Sequence, residues 1–226
     1  MIRALIFDFD GLIIDTESAI YQSYQEIYAA HGCRLSLERW AQGIGTTDSD
    51  YDPYSDLEAL LGCALDRQAL DLKQRQREAE LIEDLPVLPG VVDYLEDARR
   101  MGLKAAVASS SSCRWISGHL SRLGLLPYFD CLKGREDVPK SKPSPALFQE
   151  VLDDFELKPS EAVVFEDSQN GILAAKQAGI FVVWVPNPLT RLLPLDGAGV
   201  QLNSLEELPL ESLLKRVEAI QGNTPA

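Results

Sequence analysis

The 226-residue chain is short of the features that would tie it to an oxidising compartment, a membrane or a polyanion. Cys33, Cys63, Cys113 and Cys131 fall in four separate regions. None stands at the short paired spacing that zinc or thiol redox centres use, so they read as reduced structural thiols. Long apolar runs are missing as well: the opening apolar segment reaches Asp8 and Asp10 too soon for a secretory core or a membrane span. A cytoplasmic location with no membrane partner is the default expectation. Positive charge is in deficit, 21 Lys and Arg against 35 Asp and Glu, for a formal charge of −14. Such a surface repels phosphate backbones and anionic lipid, so no nucleic acid is expected as a partner.

What is present is enough apolar residue, 46%, to bury a sizeable core. Ala4 to Phe9, Lys104 to Ala108, Ala162 to Phe165 and Phe181 to Val185 are short runs rich in Val, Ile, Phe or Ala without clean alternation, as strands buried on both faces should be. Helical stretches lie between them. Val91 to Met101, Arg114 to Leu123 and Leu173 to Ala178 each end at a glycine suited to a left-handed stop: Gly102, Gly124 and Gly179. Ser144 and Pro145 mark another helix start, with Leu147, Phe148, Val151, Leu152 and Phe155 on one face. The βαβα alternation predicts an α/β fold, a doubly wound parallel sheet with helices on both faces. From Thr16 to Leu85 the pattern is helical only, which predicts an inserted α-helical domain over residues 16–85, with the core formed by residues 1–15 and 86–226. Pro86, Pro89 and Gly90 punctuate the return to the core.

Acidic and hydroxylic residues gather at the predicted strand ends. Asp8 and Asp10, spaced by two at the end of the first strand, point to one side of an extended chain, and Gly11 frees the backbone to turn. Like charges sharing so small a space call for a cation or a shared proton. The third strand ends in Glu166 and Asp167, and in an open parallel sheet the carboxyl ends of strands face a common crevice. Hard oxygen ligands with room for water and phosphate describe Mg2+ better than zinc. Ser109 and Ser110 end the second strand and open a helix, where hydroxyls and free N–H groups make an anion site. Lys142, held extended by Pro143, projects from a stiff loop and can bridge carboxylate and phosphate.

Taken as a set, FDFDG at Phe7 to Gly11, VASS at Val107 to Ser110, KSKP at Lys140 to Pro143 and FEDS at Phe165 to Ser168 resemble the four signature motifs of the haloacid-dehalogenase-like hydrolase superfamily. The resemblance spans the chain to about Val185, with a Rossmann-like core, a helical cap, and a capped-phosphatase or β-phosphoglucomutase-like branch as its implications. It implies that Asp8 is the nucleophile, forming an aspartyl-phosphate, and that Asp10 is the acid and base. Mg2+ would sit on the Asp8 carboxylate, the Asp10 backbone carbonyl and Asp167, with Glu166 orienting metal-bound water from behind. Ser109, with the adjacent backbone at Ser110, and Lys142 would hold the phosphoryl oxygens of a small phosphorylated metabolite.

The insertion corresponds to that family's mobile cap, with Thr16 to Glu17 and Leu85 to Pro89 as hinges. Asp15 and Glu17 resemble a DxE extension of the capped branch, or are a helix-start acid pair. Within the cap, Gly43 to Asp50 is a polar loop able to meet substrate. Lys73, Arg75 and Arg77 either reach a second anionic group or form a solvated helix face, and Trp40 and Trp115 either line a pocket or belong to the core. A phosphosugar mutase is the nearest alternative. Resemblance to that branch expects a His twelve positions after Asp8 and an Arg in the cap loop, where this chain has Ile20 and no Arg from Gly43 to Asp50. The Asp10 carboxylate argues against a dehalogenase. A catalytically silent partner-binding scaffold is the reading outside enzymology.

Overall fold

The computed structural model describes residues 1–41, 43–45, 51–193 and 196–222. Its core is a parallel sheet of β1 (Ala4–Phe7), β2 (Lys104–Ala108), β3 (Cys131–Lys133), β4 (Ala162–Glu166), β5 (Phe181–Trp184) and β6 (Val200–Gln201), in the order β3-β2-β1-β4-β5-β6. Register is in phase around β1: Phe7 pairs with Val107 on one side and Phe165 on the other, so the two neighbours end level with it.

Both faces of this sheet are buried, which is why its strands read as continuous apolar runs. Successive side chains still go to opposite sides. Leu5, Phe7, Val107, Val163 and Phe165 pack under α5 (Val91–Met101), α6 (Cys113–Arg122) and α9 (Leu210–Gly222). Ala4, Ile6, Ala106, Ala108 and Val164 face α7 (Ala146–Phe155) and α8 (Gln169–Gln177). Each large apolar side chain so enclosed contributes about 1.5–3 kcal/mol. The Gly102, Gly124 and Gly179 stops all have positive φ, as the sequence requires.

Between β1 and α5 the chain is helical only: α1 (Thr16–Ala30), α2 (Leu37–Trp40), α3 (Pro53–Leu61) and α4 (Arg67–Ile82). These helices enclose their own apolar cluster of Ile27, Tyr28, Leu35, Trp40, Ile44, Tyr54 and Leu57, joined by Leu189 from the segment after β5. The outgoing and returning segments lie side by side, with the Leu88 N–H donating to the Ile13 carbonyl at 2.8 Å. Among the described residues no helix is long and apolar enough to cross a membrane.

Sequence and structure differ at the sheet's edges and at one helix start. The edge strands β3 and β6 and the helix α9 carry no run strong enough to announce them. The helix after β2 does not open at Ser109 and Ser110; it starts at Cys113 with Ser112 as N-cap, whose hydroxyl accepts the Trp115 N–H. Ser109 to Ser111 therefore form the connecting loop.

Candidate active site

The strand order reverses between β1 and β4, and that is where an open parallel sheet leaves a crevice beyond its carboxyl ends. Asp8 follows β1 directly, with its N–H donating to the Phe165 carbonyl at 3.0 Å. Glu166 closes β4 and Asp167 follows it. Ser109 follows β2 and is tied by its N–H to the Lys133 carbonyl at 3.0 Å. Gly11 turns the chain away with φ +85°, and a Cβ there would lie 2.5 Å from Asn187 Nδ2 and 2.6 Å from Asp167 Oδ2, so the position has no room for a side chain.

Lys142 enters from the loop before α7 and is 1% exposed. Its Nζ donates to Asp8 Oδ1 at 2.6 Å and to Glu166 Oε1 at 2.5 Å, and lies 5.1 Å from the Phe148 ring centroid. Burial alone would lower its pKa, but the carboxylates of Asp8 and Glu166 hold the ammonium above its ordinary range. Glu166 has its other oxygen occupied by the N–H groups of Asp167 and Ser168 and by the Ser168 hydroxyl. Gly171 packs against this carboxylate so closely that any Cβ would overlap it.

Asp8, Glu166 and Asp167 bring ligand oxygens within 4.8 Å of one another, all buried. Burial and then Glu166 push the Asp8 carboxyl up, and the same two causes, with Asp8 next, raise Asp167 as well. One ammonium does not balance these carboxylates. Asp167 Oδ2 accepts from Asn187 Nδ2 at 2.8 Å, while Asp167 Oδ1 is buried with no partner among the described residues. An orphaned carboxylate oxygen in an excess of buried negative charge fits a hard dication, and the all-oxygen donors suit magnesium. A bound cation would also reverse the upward pKa shifts.

Asp10 stands apart from this cluster. Its Oδ1 accepts from the Thr16 hydroxyl at 2.7 Å and the Trp115 indole N–H at 3.0 Å. Its Oδ2 accepts from the Ser111 hydroxyl at 2.6 Å and the Ser109 hydroxyl at 3.3 Å. The Ser109 hydroxyl also accepts the Ser111 N–H. The Ser110 hydroxyl instead donates to the Gly45 carbonyl at 3.1 Å, so it faces the helical insertion.

Of the DxE pair, Asp15 is the N-cap of α1 and accepts the Ser18 N–H, as a helix-start acid would. Glu17 lines the cavity, and burial with the nearby Asp10 and Asp8 charges pushes its carboxyl up to about 8. Lys73 is exposed and Arg77 pairs with Glu26 and Glu80, a solvated face, whereas Arg75 lines the cavity. Trp40 and Trp115 both line it too. Of the Gly43 to Asp50 loop, residues 46–50 lie outside the described residues. Ser111 and Asn187 are site neighbours to which sequence reasoning gave no role, Thr16 was expected only as a hinge, and Trp115 was left open between pocket and core.

The cavity is about 720 Å³, roofed by α1 and α4 and floored by Asp8, Asp10 and Ser109 to Ser112. Residues 5–185 match the family model described as haloacid dehalogenase-like hydrolase. The chain belongs to that family. It is 41% identical over 97% of its length, and 99% of the relative's, to the Bacillus subtilis (strain 168) protein named "Putative phosphatase YhcW". It is 32% identical to the Thermotoga maritima "Phosphorylated carbohydrates phosphatase", covering 79% of this chain and 82% of that one. The solved structure of CbbY (mutant D10N) from Rhodobacter sphaeroides with xylulose-(1,5)bisphosphate superposes with a TM-score of 0.69 at 29% identity, covering 94% of this chain and 99% of that one. The chain is thus a phosphatase on a Rossmann-like core, and the reading as a silent scaffold is set aside.

Proposed function

We propose that this phosphatase is a magnesium-dependent hydrolase of phosphorylated sugars or polyols, working through a phosphoryl group carried on Asp8. The observation that carries the reading is the meeting of Asp8, Lys142, Glu166 and Asp167 in one buried cluster, of which Asp8 lines a cavity large enough for a small metabolite. The name of the Thermotoga relative supports the sugar class.

Asp8 Oδ attacks phosphorus and the ester bond breaks, leaving an aspartyl-phosphate and an alcohol that takes a proton from the Asp10 carboxyl. Water then attacks the phosphoryl group, gives its proton to the Asp10 carboxylate, and inorganic phosphate leaves with Asp8 restored. The Thr16, Ser111 and Trp115 donors hold Asp10 in the cavity wall for both steps. Lys142 keeps Asp8 oriented, and with Ser109 it offers donors to the phosphoryl oxygens. Magnesium would be held by the Asp8 and Asp167 carboxylates and the Asp10 backbone carbonyl, and it supplies charge neutralisation between nucleophile and phosphate. Glu166 serves it indirectly by anchoring Lys142 and the turn at Asp167. Ile20 lines the cavity at the position where the mutase branch carries His. An alkyl chain there moves no proton, which supports hydrolysis over isomerisation.

Turnover of p-nitrophenyl phosphate with Mg2+ tests the reading. Asp8→Asn should lower kcat by about 10³ or more while the circular dichroism spectrum and melting transition persist. Fluoroberyllate with Mg2+ should inhibit the unsubstituted enzyme as a mimic of the phosphorylated aspartate. Turnover near the original rate in Asp8→Asn would overturn the assignment.

A further inference from the structure

The roof of the cavity, like its floor, is lined by acidic side chains. Carboxylates of Asp8, Asp10, Glu17, Asp71 and Glu78 line the space, against the guanidinium groups of Arg75 and Arg135. Arg75 is tied to Asp71 at 2.8 Å, and Arg135 is exposed. The roof therefore offers acceptors in excess of cations.

Gln74 on α4 fixes the pattern. It is 3% exposed, and its amide nitrogen donates to Ser23 Oγ at 2.9 Å and to Glu78 Oε2 at 2.8 Å. The Ser23 hydroxyl spends its own proton on the Ile20 carbonyl at 2.6 Å, so Gln74 has to present its NH2 there. That orientation uses both amide hydrogens and leaves the Gln74 carbonyl, beside the Glu78 carboxylate, as an acceptor. Trp40 also lines the cavity and is 9% exposed. Trp40 packs against Tyr24, ring centroids 5.2 Å apart, which gives the same wall an apolar surface.

The hydroxyl groups of a polyol donate to carboxylate and amide oxygens, and its carbon chain presents C–H edges to an aromatic wall. A second phosphate or a carboxylate on the leaving group would instead meet the carboxylate of Glu78 with like charge, in a space partly shut off from water. We infer that Gln74, Glu78 and Trp40 form a leaving-group subsite that selects an uncharged, polyhydroxylated alcohol and rejects substrates with a second anionic group. This rests on the phosphohydrolase reading above and adds to it the charge of the substrate's distal end.

Glucitol 6-phosphate and gluconate 6-phosphate differ at C1 alone, hydroxymethyl against carboxylate, and both are open chains. With Mg2+ and the unsubstituted enzyme, kcat/KM for the gluconate ester should be lower by about tenfold or more, chiefly through KM. Glu78→Gln should shrink that ratio by lowering KM for the gluconate ester, and its melting curve reports that it folds. Comparable kcat/KM for the two esters, failure to turn over glucitol 6-phosphate while p-nitrophenyl phosphate is hydrolysed, or an unchanged ratio in folded Glu78→Gln would overturn the subsite and leave the phosphohydrolase standing. A preference for the gluconate ester that disappears in Arg135→Ala would overturn it in favour of an anion site at Arg135. No turnover of any of the three esters would sink both readings.

Discussion

Lys142 holds the charge balance of the site, because it is the cation that Asp8 and Glu166 share in a space closed to water. A buried ion pair adds little net stability when intact, but removing one partner strands the other. Lys142→Met keeps much of the side-chain volume beside Phe148 and takes away the charge, so two carboxylates are left facing each other. The metal-free protein should lose about 3–5 kcal/mol of unfolding free energy, measured by urea titration. A loss within about 1 kcal/mol would mean that one carboxylate takes up a proton at little cost. Lys142, Asp8, Asp10, Ser109, Glu166 and Asp167 were legible in the sequence because each belongs to a strand end or the loop it feeds, and parallel strands deliver their ends to one crevice. Asn187 obeys the same rule, three residues past the end of β5, and the rule would have found it. Thr16 and Trp115 reach Asp10 from two different helix starts and Ser111 from the loop after β2, and no spacing in the chain records that they meet.

Among the elements, Ile44 and Gly45, after α2, tie the insertion to the core. The Asn170 amide donates to the Ile44 carbonyl at 2.8 Å, the Ser110 hydroxyl to the Gly45 carbonyl, and Gly45 with φ +75° leaves no space between itself and Ser168. These contacts seat the insertion over the catalytic floor using α8's first turn and the loop after β2. Gly45→Ala would strain the backbone and press on the Ser168 hydroxyl, which also serves Glu166. Turnover should fall by about tenfold to a hundredfold, while the melting temperature changes little because the sheet and its two cores are untouched. A large drop in melting temperature with kcat preserved would show that Gly45 matters to the fold and not to the seating of the insertion. Elements with a strong apolar period, such as β2 and α5, match their expected bounds. β3 is a three-residue edge strand with every position part-exposed, and β6 pairs over two residues, so neither carries a periodic signal.

For the molecule as a whole, acidity is concentrated as well as abundant: the formal charge is −14, and five carboxyl side chains, Asp8, Asp10, Glu17, Asp71 and Glu78, line one cavity. Glu17 carries a testable share of the consequence. Its carboxyl rises from 4.5 to about 8 through burial first and the charges of Asp10 and Asp8 next. Below the unfolded value the group is protonated in both states and opposes nothing. Between the unfolded value and about 8 the unfolded chain has released a proton that the folded chain still holds, so stability falls as pH rises through this window, and above it the loss is complete. Asp8 and Asp167 are raised too and steepen the decline of the metal-free protein. Glu17→Gln isolates one contribution, since Gln keeps the shape and cannot ionise. By calorimetry without metal, the variant and the unsubstituted protein should melt together near the acidic end of the window. The variant should then melt progressively higher, with the gap largest at about pH 8. A gap independent of pH would assign the difference to packing, and a gap that closes toward pH 8 would reverse the sign and remove Glu17 from the wall's electrostatic strain.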